Sequence, residues 1–143
     1  MIEGLFLTKE KVINLESGNV MHAIKKNSNG FFKFGEAYFS KIKYNSIKAW
    51  KRHKKMNLNL VVPVGKVLFT VLDDRSQLNK IQEYIISDEN YFRLTVPPNV
   101  WLGFKGLSKP ESIILNIADI PHEDKEVEKI GIDDIEYDWK SKK

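Results

Sequence analysis

The sequence predicts an all-β protein built as a sandwich or a barrel. Apolar and polar residues alternate over short stretches, and these stretches are rich in Val, Ile, Phe and Tyr, which favour extended backbone. Clusters of Gly, Pro, Asn, Asp and Ser separate the stretches at close spacing. No segment keeps a helical period, and many short strands in a chain of 143 residues are typical of a sandwich or barrel.

The predicted strands follow one another along most of the chain. They cover residues 12–17, 20–25, 30–44, 58–74, 80–87, 91–97, 100–107 and 112–119. Turns are expected at residues 17–19, 27–30, 73–76, 87–90, 97–99 and 108–110. Residues 76–84 are compatible with a short helix, and the acidic end with a single helical turn.

Size and composition favour one domain over residues 1–143, with N-terminal strands in 1–35, a barrel core in 36–120 and an acidic C-terminal segment in 121–143. The absence of cysteine excludes disulfides, thiolate metal sites and cysteine nucleophiles, and fits a reducing compartment. No stretch approaches the roughly 18 apolar residues of a membrane helix, and the N-terminus does not resemble a secretory signal. We therefore expect a cytoplasmic protein without membrane contact.

Charge is distributed unevenly around a net value of +4. The charged residues in 41–55 are all basic, and they are Lys41, Lys43, Lys48, Lys51, Arg52, Lys54 and Lys55. Residues 123–138 are mainly acidic, with Glu123, Asp124, Glu126, Glu128, Asp133, Asp134, Glu136 and Asp138. No nucleic-acid-binding motif accompanies the bases, so nucleic acid is not an expected partner. The pattern leaves two explanations open: a small anionic ligand, or pairing of the basic and acidic segments.

The basic segment contains His53 and leads directly into an apolar strand. If the alternation of that strand continues backward without a bulge, one face carries the polar residues Lys51, His53, Lys55, Asn57 and Asn59. Arg52 and Lys54 would then point outward. In a barrel, a polar face turned toward the interior suits a small polar ligand.

Several segments, taken in order, resemble the cupin superfamily and within it the dTDP-4-dehydrorhamnose 3,5-epimerase (RmlC-like) family. They are "IEGLFL" at 2–7, "ESGN" at 16–19, "AWKRHKKM" at 49–56, "LVVPVGKVLFTVLDDR" at 60–75, "LTVPPNVWLGF" at 94–104 and "IGIDDIEYDW" at 130–139. The resemblance implies a double-stranded β-helix, or jelly-roll, barrel. It also implies a homodimer that exchanges early strands, with the acidic end free to cover the basic strand of a partner.

The resemblance implies a nucleotide-sugar epimerase or isomerase of surface polysaccharide biosynthesis, which moves a proton next to a 4-keto group without a cofactor. His53 falls on the base position. The expected substrate-binding residues are Lys51, Lys55, Asn57, Asn59, Trp101 and Asn116. A metal site is not expected, because lysines follow His53 where metal-binding cupins have a second histidine.

The chain departs from the family pattern at several functional positions. No tyrosine stands at Leu115 or Asn116, where the family has its acid, and Leu58 replaces the lysine that faces the enolate. The early turn has Ser17 and Val20 in place of an arginine and an aromatic residue, and the aspartate that orients the histidine would lie beyond residue 139. Tyr38 and Tyr44 are the substitute proton donors.

Three functions therefore stay open at this point. The favoured one is an enzyme that epimerises one carbon or moves the ketone between carbons 3 and 4. The first alternative is a non-catalytic cupin that binds a sugar or nucleotide sugar, and the second is a scaffold whose interior is plugged by Trp101.

Overall fold

A computed structural model describes residues 1–142; Lys143, the last residue of the predicted acidic segment, lies outside the described residues. The strands are β1 Phe6–Lys9, β2 Val12–Ile13, β3 Val20–Met21, β4 Glu36–Lys43, β5 Ile47–His53, β6 Leu58–Val64, β7 Lys66–Asp73, β8 Lys80–Ser87, β9 Phe92–Val96, β10 Trp101–Gly106, β11 Glu111–Ala118 and β12 Val127–Lys129. Short 3₁₀ turns at Asp124–Glu126 and Ile132–Asp134 flank β12. Within residues 1–142, no helix is long and apolar enough to cross a membrane.

Two five-stranded antiparallel sheets form the body of the protein. Their strand orders are β1-β9-β6-β11-β4 and β12-β5-β10-β7-β8, and β2 and β3 form a separate ribbon. The main core joins apolar side chains of both sheets, among them Leu60, Leu94, Phe69 and Val71. The all-β prediction is confirmed, and the two-layer arrangement is that of a jelly roll.

The C-terminal segment covers the outer face of the second sheet. Along β7, every residue from Val67 to Asp73 is buried, because one face enters the main core while Leu68 and Leu72 pack on the other side with Trp50 and Trp139. This explains why the sequence of β7 is almost continuously apolar rather than alternating.

The N-terminal segment covers the outer face of the first sheet through a buried arginine. Arg93 is 0% exposed, and its guanidinium donates to the side chains of Asn59 at 2.5 Å and Glu10 at 3.1 Å and to the carbonyl of Asn29 at 2.8 Å. Gly30 follows in a left-handed conformation, φ +87°, where a Cβ would lie 2.6 Å from the Thr95 hydroxyl. A residue with a side chain would be strained there and would also collide.

Two local predictions are wrong. Residues 76–84 contain no helix, because β8 begins at Lys80 and pairs with β7 along its full length; tertiary pairing overrides the weak local helix signal. The polar strand through His53 is also interrupted. β5 ends at His53 and β6 begins at Leu58, so a single alternation cannot run through both.

Candidate active site

A cavity of about 440 Å³ lies between the two sheets, bordered by β4, β6 and β11 on one side and by β5, β7, β10 and β12 on the other. Its walls are mostly apolar, with Leu58, Leu60, Phe69, Leu102, Phe104 and Ile114. The polar side chains around it are those of Tyr38, Ser40, Lys48, Lys51, His53, Asn116 and Lys129. A mostly apolar cavity with a few convergent polar groups is the usual form of a small-molecule site.

His53 is paired with a buried carboxylate. It is the last residue of β5 and only 7% exposed, and its Nδ1 contacts Oε1 of Glu126, which is 3% exposed. The antiparallel pairing of β12 with β5 sets Val127 opposite His53 and so brings the preceding Glu126 to the imidazole. A neutral ring that donates its Nδ1–H to the carboxylate keeps a lone pair on Nε2 for accepting a proton.

The carboxylate of Glu126 is itself held by the turn between β5 and β6. Its Oε2 accepts hydrogen bonds from the backbone N–H groups of Lys55 at 3.1 Å and Met56 at 3.3 Å. Burial alone would raise the pKa of Glu126, but the hydrogen bonds from His53 and from these two amides outweigh it and bring the pKa below its usual value. Glu126 is therefore a fixed negative charge that orients His53.

A β-bulge determines which basic residues of β5 face the cavity. Leu102 of β10 lies opposite Lys51 and Phe104 lies opposite Lys48, so two residues of β5 stand against Gly103 alone. The extra residue changes the phase of the alternation, and Lys48 and Lys51 both line the cavity.

On the facing sheet, Tyr38 of β4 and Asn116 of β11 are directly opposite each other. The Asn116 Nδ2 donates a hydrogen bond to the Tyr38 hydroxyl oxygen at 3.0 Å. Asn116 is 3% exposed, and its Oδ1 has no hydrogen-bond partner within residues 1–142. A tyrosine hydroxyl therefore reaches the same cavity as His53, from a different strand than the family pattern implies.

The structure brings together three of the residues predicted from the sequence, His53, Lys51 and Asn116, and it places four elsewhere. Lys55 is exposed in the turn after β5. Asn57 donates from its backbone and side chain to Asp119, at 2.8 and 2.9 Å. Both positions follow from the interruption of the strand after His53.

Asn59 and Trp101 also lie outside the cavity. Leu58 and Leu60 face it, so the intervening Asn59 points to the other side of the sheet and binds Arg93 and Thr95. Trp101 lies on the outer face of its sheet, with the Arg52 guanidinium 4.3 Å from its ring centroid and its Nε1 donating to Asp74. The prediction that Trp101 fills the interior is therefore wrong.

The acidic end contacts the basic strand of its own chain rather than that of a partner. Arg52, which points outward as predicted, forms ion pairs with Asp74 at 3.3 Å and Glu128 at 3.0 Å. Pairing of the basic and acidic segments thus accounts for the outward charge of β5. It does not account for the lysines on the cavity side.

No protein-family model matches the chain. A crystal structure of a dTDP sugar isomerase from Desulfovibrio desulfuricans G20 superposes with a TM-score of 0.92 and 33% identity, covering 96% of this chain and 92% of that one. The chain is a member of the RmlC-like cupin family.

Two further proteins are similar in fold or in part of the sequence. The 3,4-ketoisomerase QdtA from Thermoanaerobacterium thermosaccharolyticum, in complex with TDP-4-keto-6-deoxyglucose, shares the fold at 19% identity and a TM-score of 0.74, covering 91% of this chain and 90% of that one. A probable low-salt glycan biosynthesis epimerase of Haloferax volcanii is 27% identical over 103 residues. That match covers 68% of this chain and 66%, just under two thirds, of the relative.

The sequence does not predict the roles of Glu126, which holds His53, or of Lys48 and Lys129, which line the cavity. Glu126 lies in an acidic run in which no residue is distinguished by its neighbours, and 73 positions separate it from His53. Alternation without a bulge gives Lys48 no place in the cavity, so the sequence predicts it only as a member of the basic run. Only the pairing of β12, β5 and β10 distinguishes these residues.

Proposed function

We propose that the protein is a nucleotide-sugar isomerase or epimerase that transfers a proton at the carbon next to a 4-keto group. The observation that carries the proposal is the buried His53–Glu126 pair at the wall of a cavity between the sheets. The similarity to a dTDP sugar isomerase at 33% identity supports a nucleotide-linked sugar as the substrate.

In the proposed mechanism, Nε2 of His53 accepts the proton and the electron pair of the broken C–H bond forms an enolate. Imidazole suits this step because its ordinary pKa lies near neutrality. Glu126 stabilises the imidazolium that results and keeps Nδ1 protonated throughout. Lys51, on the same face of the cavity wall, supplies positive charge near the developing anion.

Tyr38 is the proposed proton donor, because its hydroxyl borders the same cavity and Asn116 holds it at 3.0 Å. Return of a proton to the same carbon from the opposite face gives an epimer. Migration of the ketone from carbon 4 to carbon 3 instead requires that the proton return to carbon 4 of the enediolate, that the 4-oxygen gain a proton and that the 3-hydroxyl lose one. Tyr44, the other candidate from the sequence, is absent from the cavity wall within the described residues.

Deuterium wash-in tests the proposal. With a TDP-4-keto-6-deoxy sugar in heavy water, the protein is expected to incorporate deuterium next to the ketone, as measured by mass spectrometry and NMR. His53→Ala should abolish incorporation. His122→Ala changes an exposed histidine that is paired with Asp124, and it should not affect incorporation.

Tyr38→Phe should still exchange deuterium into the substrate but should form no epimerised or isomerised product. Tyr44→Phe is its control and should form product as the parent does. Binding of the sugar without any exchange would refute the enzyme and leave a binding module.

We further propose a cytoplasmic homodimer that acts in surface polysaccharide synthesis. The outer edge of β4 is unpaired in the described sheet. Phe39, a residue of β4, is 69% exposed, and Phe32 and Phe34, which precede the strand, are also exposed. Unpaired strand edges with apolar side chains are suitable surfaces for binding a second copy of the chain.

Light scattering should give twice the mass of one chain, and Phe39→Asp should lower the measured mass toward that of the monomer. A monomeric parent protein would contradict the dimer.

A further inference from the structure

The amide of Asn116 binds Tyr38 with one end and leaves its other end without a partner. Its Nδ2 donates to the Tyr38 hydroxyl at 3.0 Å, and within residues 1–142 no donor reaches its Oδ1. The side chain is 3% exposed and borders the cavity. A buried carbonyl oxygen without a hydrogen bond is unfavourable, and such atoms are rare in folded proteins. A donor for this oxygen has to come from a molecule bound in the cavity.

The surroundings of Asn116 determine where that molecule lies. On β11, Asn116 stands between Leu60 of β6 and Tyr38 of β4, and Ile114 is its neighbour on the same face of the strand. The side chains of Leu60 and Ile114 are buried and apolar, so they offer no hydrogen bond. His53 borders the cavity from the facing sheet. A ligand that donates to Oδ1 therefore lies between the proposed base and the proposed proton donor.

The position of Oδ1 indicates which part of the sugar it contacts. Oδ1 and Nδ2 belong to one rigid amide, so a group bound to Oδ1 lies next to the Tyr38 hydroxyl. The nearest such group is the substituent of the carbon that Tyr38 protonates. Beside a 4-keto group, carbon 3 carries a hydroxyl, whereas carbon 5 of a 6-deoxy sugar carries a methyl group. The hydroxyl would donate to Oδ1, and the methyl group would leave it unpaired.

The chemistry of the amide also affects the product. A neutral amide oxygen accepts a hydrogen bond but, unlike a carboxylate, has no ionised form that takes up a proton. While the 3-hydroxyl is bound to Oδ1 it keeps its proton; the proton of carbon 3 passes to Nε2 of His53, and the Tyr38 hydroxyl proton passes to carbon 3 from the opposite face. Both side chains then return to their starting states by exchange with solvent. This sequence gives the 3-epimer, whereas ketone migration requires the 3-hydroxyl to lose its proton.

We propose that Asn116 is a specificity-determining residue whose Oδ1 accepts a hydrogen bond from the 3-hydroxyl of the sugar. The contact directs proton transfer to carbon 3 rather than carbon 5 and favours 3-epimerisation over ketone migration. The inference rests on the proposed function for the reaction itself. Within that function, it selects substrates that carry a free hydroxyl next to the ketone.

The position of the deuterium label tests the choice of carbon. With TDP-4-keto-6-deoxyglucose in heavy water, NMR is expected to show deuterium at carbon 3 of the 3-epimer and not at carbon 5. Deuterium at carbon 5, or a 3-keto sugar as the product of the parent protein, would overturn the inference.

Binding measured without turnover tests the hydrogen bond itself. In a His53→Ala background, calorimetry compares TDP-4-keto-6-deoxyglucose with its 3-deoxy analogue, and the hydroxylated sugar should bind about 10- to 100-fold more tightly. Asn116→Leu is similar in size but offers no acceptor, and it should abolish this preference. Asn27→Leu, a change at an exposed turn residue, should keep it. Thermal melts identify any variant that fails to fold, and a preference retained in Asn116→Leu would overturn the contact.

Asn116→Asp tests the link between the amide and the product, in a second variant of the same size. A carboxylate at this position can take the proton of the 3-hydroxyl as a general base. The 3-keto sugar should therefore appear beside the 3-epimer, whereas Asn27→Asp should give the product of the parent. An unchanged product in a folded Asn116→Asp protein would overturn the role of the neutral amide.

Failure of this inference and failure of the proposed function give different results. Exchange at carbon 5, or a hydroxyl preference that survives in Asn116→Leu, would refute the inference and leave the enzyme intact. A hydroxyl preference that depends on Asn116, without exchange at any carbon, would support the contact and refute the enzyme.

Discussion

At the scale of single residues, the proposed chemistry depends on how Glu126 controls His53. The carboxylate accepts from the imidazole and from two backbone amides, so the ring cannot rotate without breaking buried hydrogen bonds. A buried hydrogen bond to a charged group is worth about 1.5–3 kcal/mol. Glu126 is thus expected to act through His53, as a positioning residue.

Glu126→Gln tests this role. The amide is similar in size and can still accept from Nδ1, but it carries no charge to stabilise the imidazolium formed during proton transfer. The rate of deuterium exchange should fall about 10²-fold with little change in KM. Glu128→Gln, on the outward side of β12 where it pairs with Arg52, should retain the parent rate. An unchanged rate in Glu126→Gln would contradict the role given to the pair.

Of this pair, the sequence alone predicts only His53. His53 stood out because a histidine within a basic run, ahead of a buried strand, is unusual and matches the family base. Glu126 did not, since its neighbours in the acidic run are chemically equivalent and its partner is distant in sequence. The register of β12 on β5, set by long-range packing, selects it.

At the scale of elements, the sequence predicts strands better than it predicts where side chains point. Period-2 patterns identified most of the strands, but the bulge in β5 and the break between β5 and β6 each reverse the alternation. For this reason, simple alternation predicts Lys55, Asn57 and Asn59 in the cavity and does not predict Lys48 there. The sequence of β5 does not indicate the bulge. The only indication is Gly103 on β10, which lies opposite it.

Gly103 is expected to be essential for the bulge. A Cβ at this position would lie 2.8 Å from both the Ala49 Cβ and Cζ2 of Trp139 and 3.0 Å from Cε3 of Trp50. Gly103→Ala should therefore reduce the free energy of unfolding by about 1–3 kcal/mol, measured by urea denaturation. It should also slow deuterium exchange, because the bulge sets the position of Lys51 on the cavity wall.

Gly131→Ala is the control for this prediction. Its φ of −72° suits alanine, and an added Cβ would meet only the side chain of Asp134. The expected change in unfolding free energy is within about 0.5 kcal/mol, as at ordinary surface positions. A Gly103→Ala protein as stable as the parent would show that the bulge tolerates a side chain.

At the scale of the whole molecule, terminal segments complete the two sheets. The C-terminal segment seals the second sheet with an aromatic cluster, in which Trp139 lies 5.3 Å from Trp50 and 4.5 Å from Tyr137 between ring centroids. The ammonium of Lys105, itself buried, donates to the carbonyls of Trp139 and Lys142. Composition identified the segment as acidic, but its packing role depends on these few aromatic and basic contacts.

Ionised carboxylates hold several of these peripheral segments in place, which predicts loss of stability in acid. Within residues 1–142, the pKa is lowered for Asp73, Glu83, Glu126, Glu128 and Asp138. For Glu83, the hydrogen bonds from Tyr137 and Lys142 are the main cause, and for Glu128 it is the hydrogen bond from Arg52. Protonation of each carboxylate weakens the hydrogen bonds that its charged form accepts in the folded protein.

The sign of the pH effect follows from the direction of these shifts. A carboxyl group with a lower pKa in the folded state stabilises the protein above its unfolded pKa, about 4 for Asp and Glu, and this contribution is lost as pH falls through the folded value. The melting temperature should therefore be roughly constant from pH 7 to pH 5 and fall steeply below about pH 4. Glu126→Gln should melt lower than the parent at pH 7, and the difference should shrink in acid, where the parent carboxylate is also protonated. Calorimetry across this range checks both statements, and a difference that widens on acidification would show that Glu126 is protonated in the native protein, leaving His53 without a charged partner.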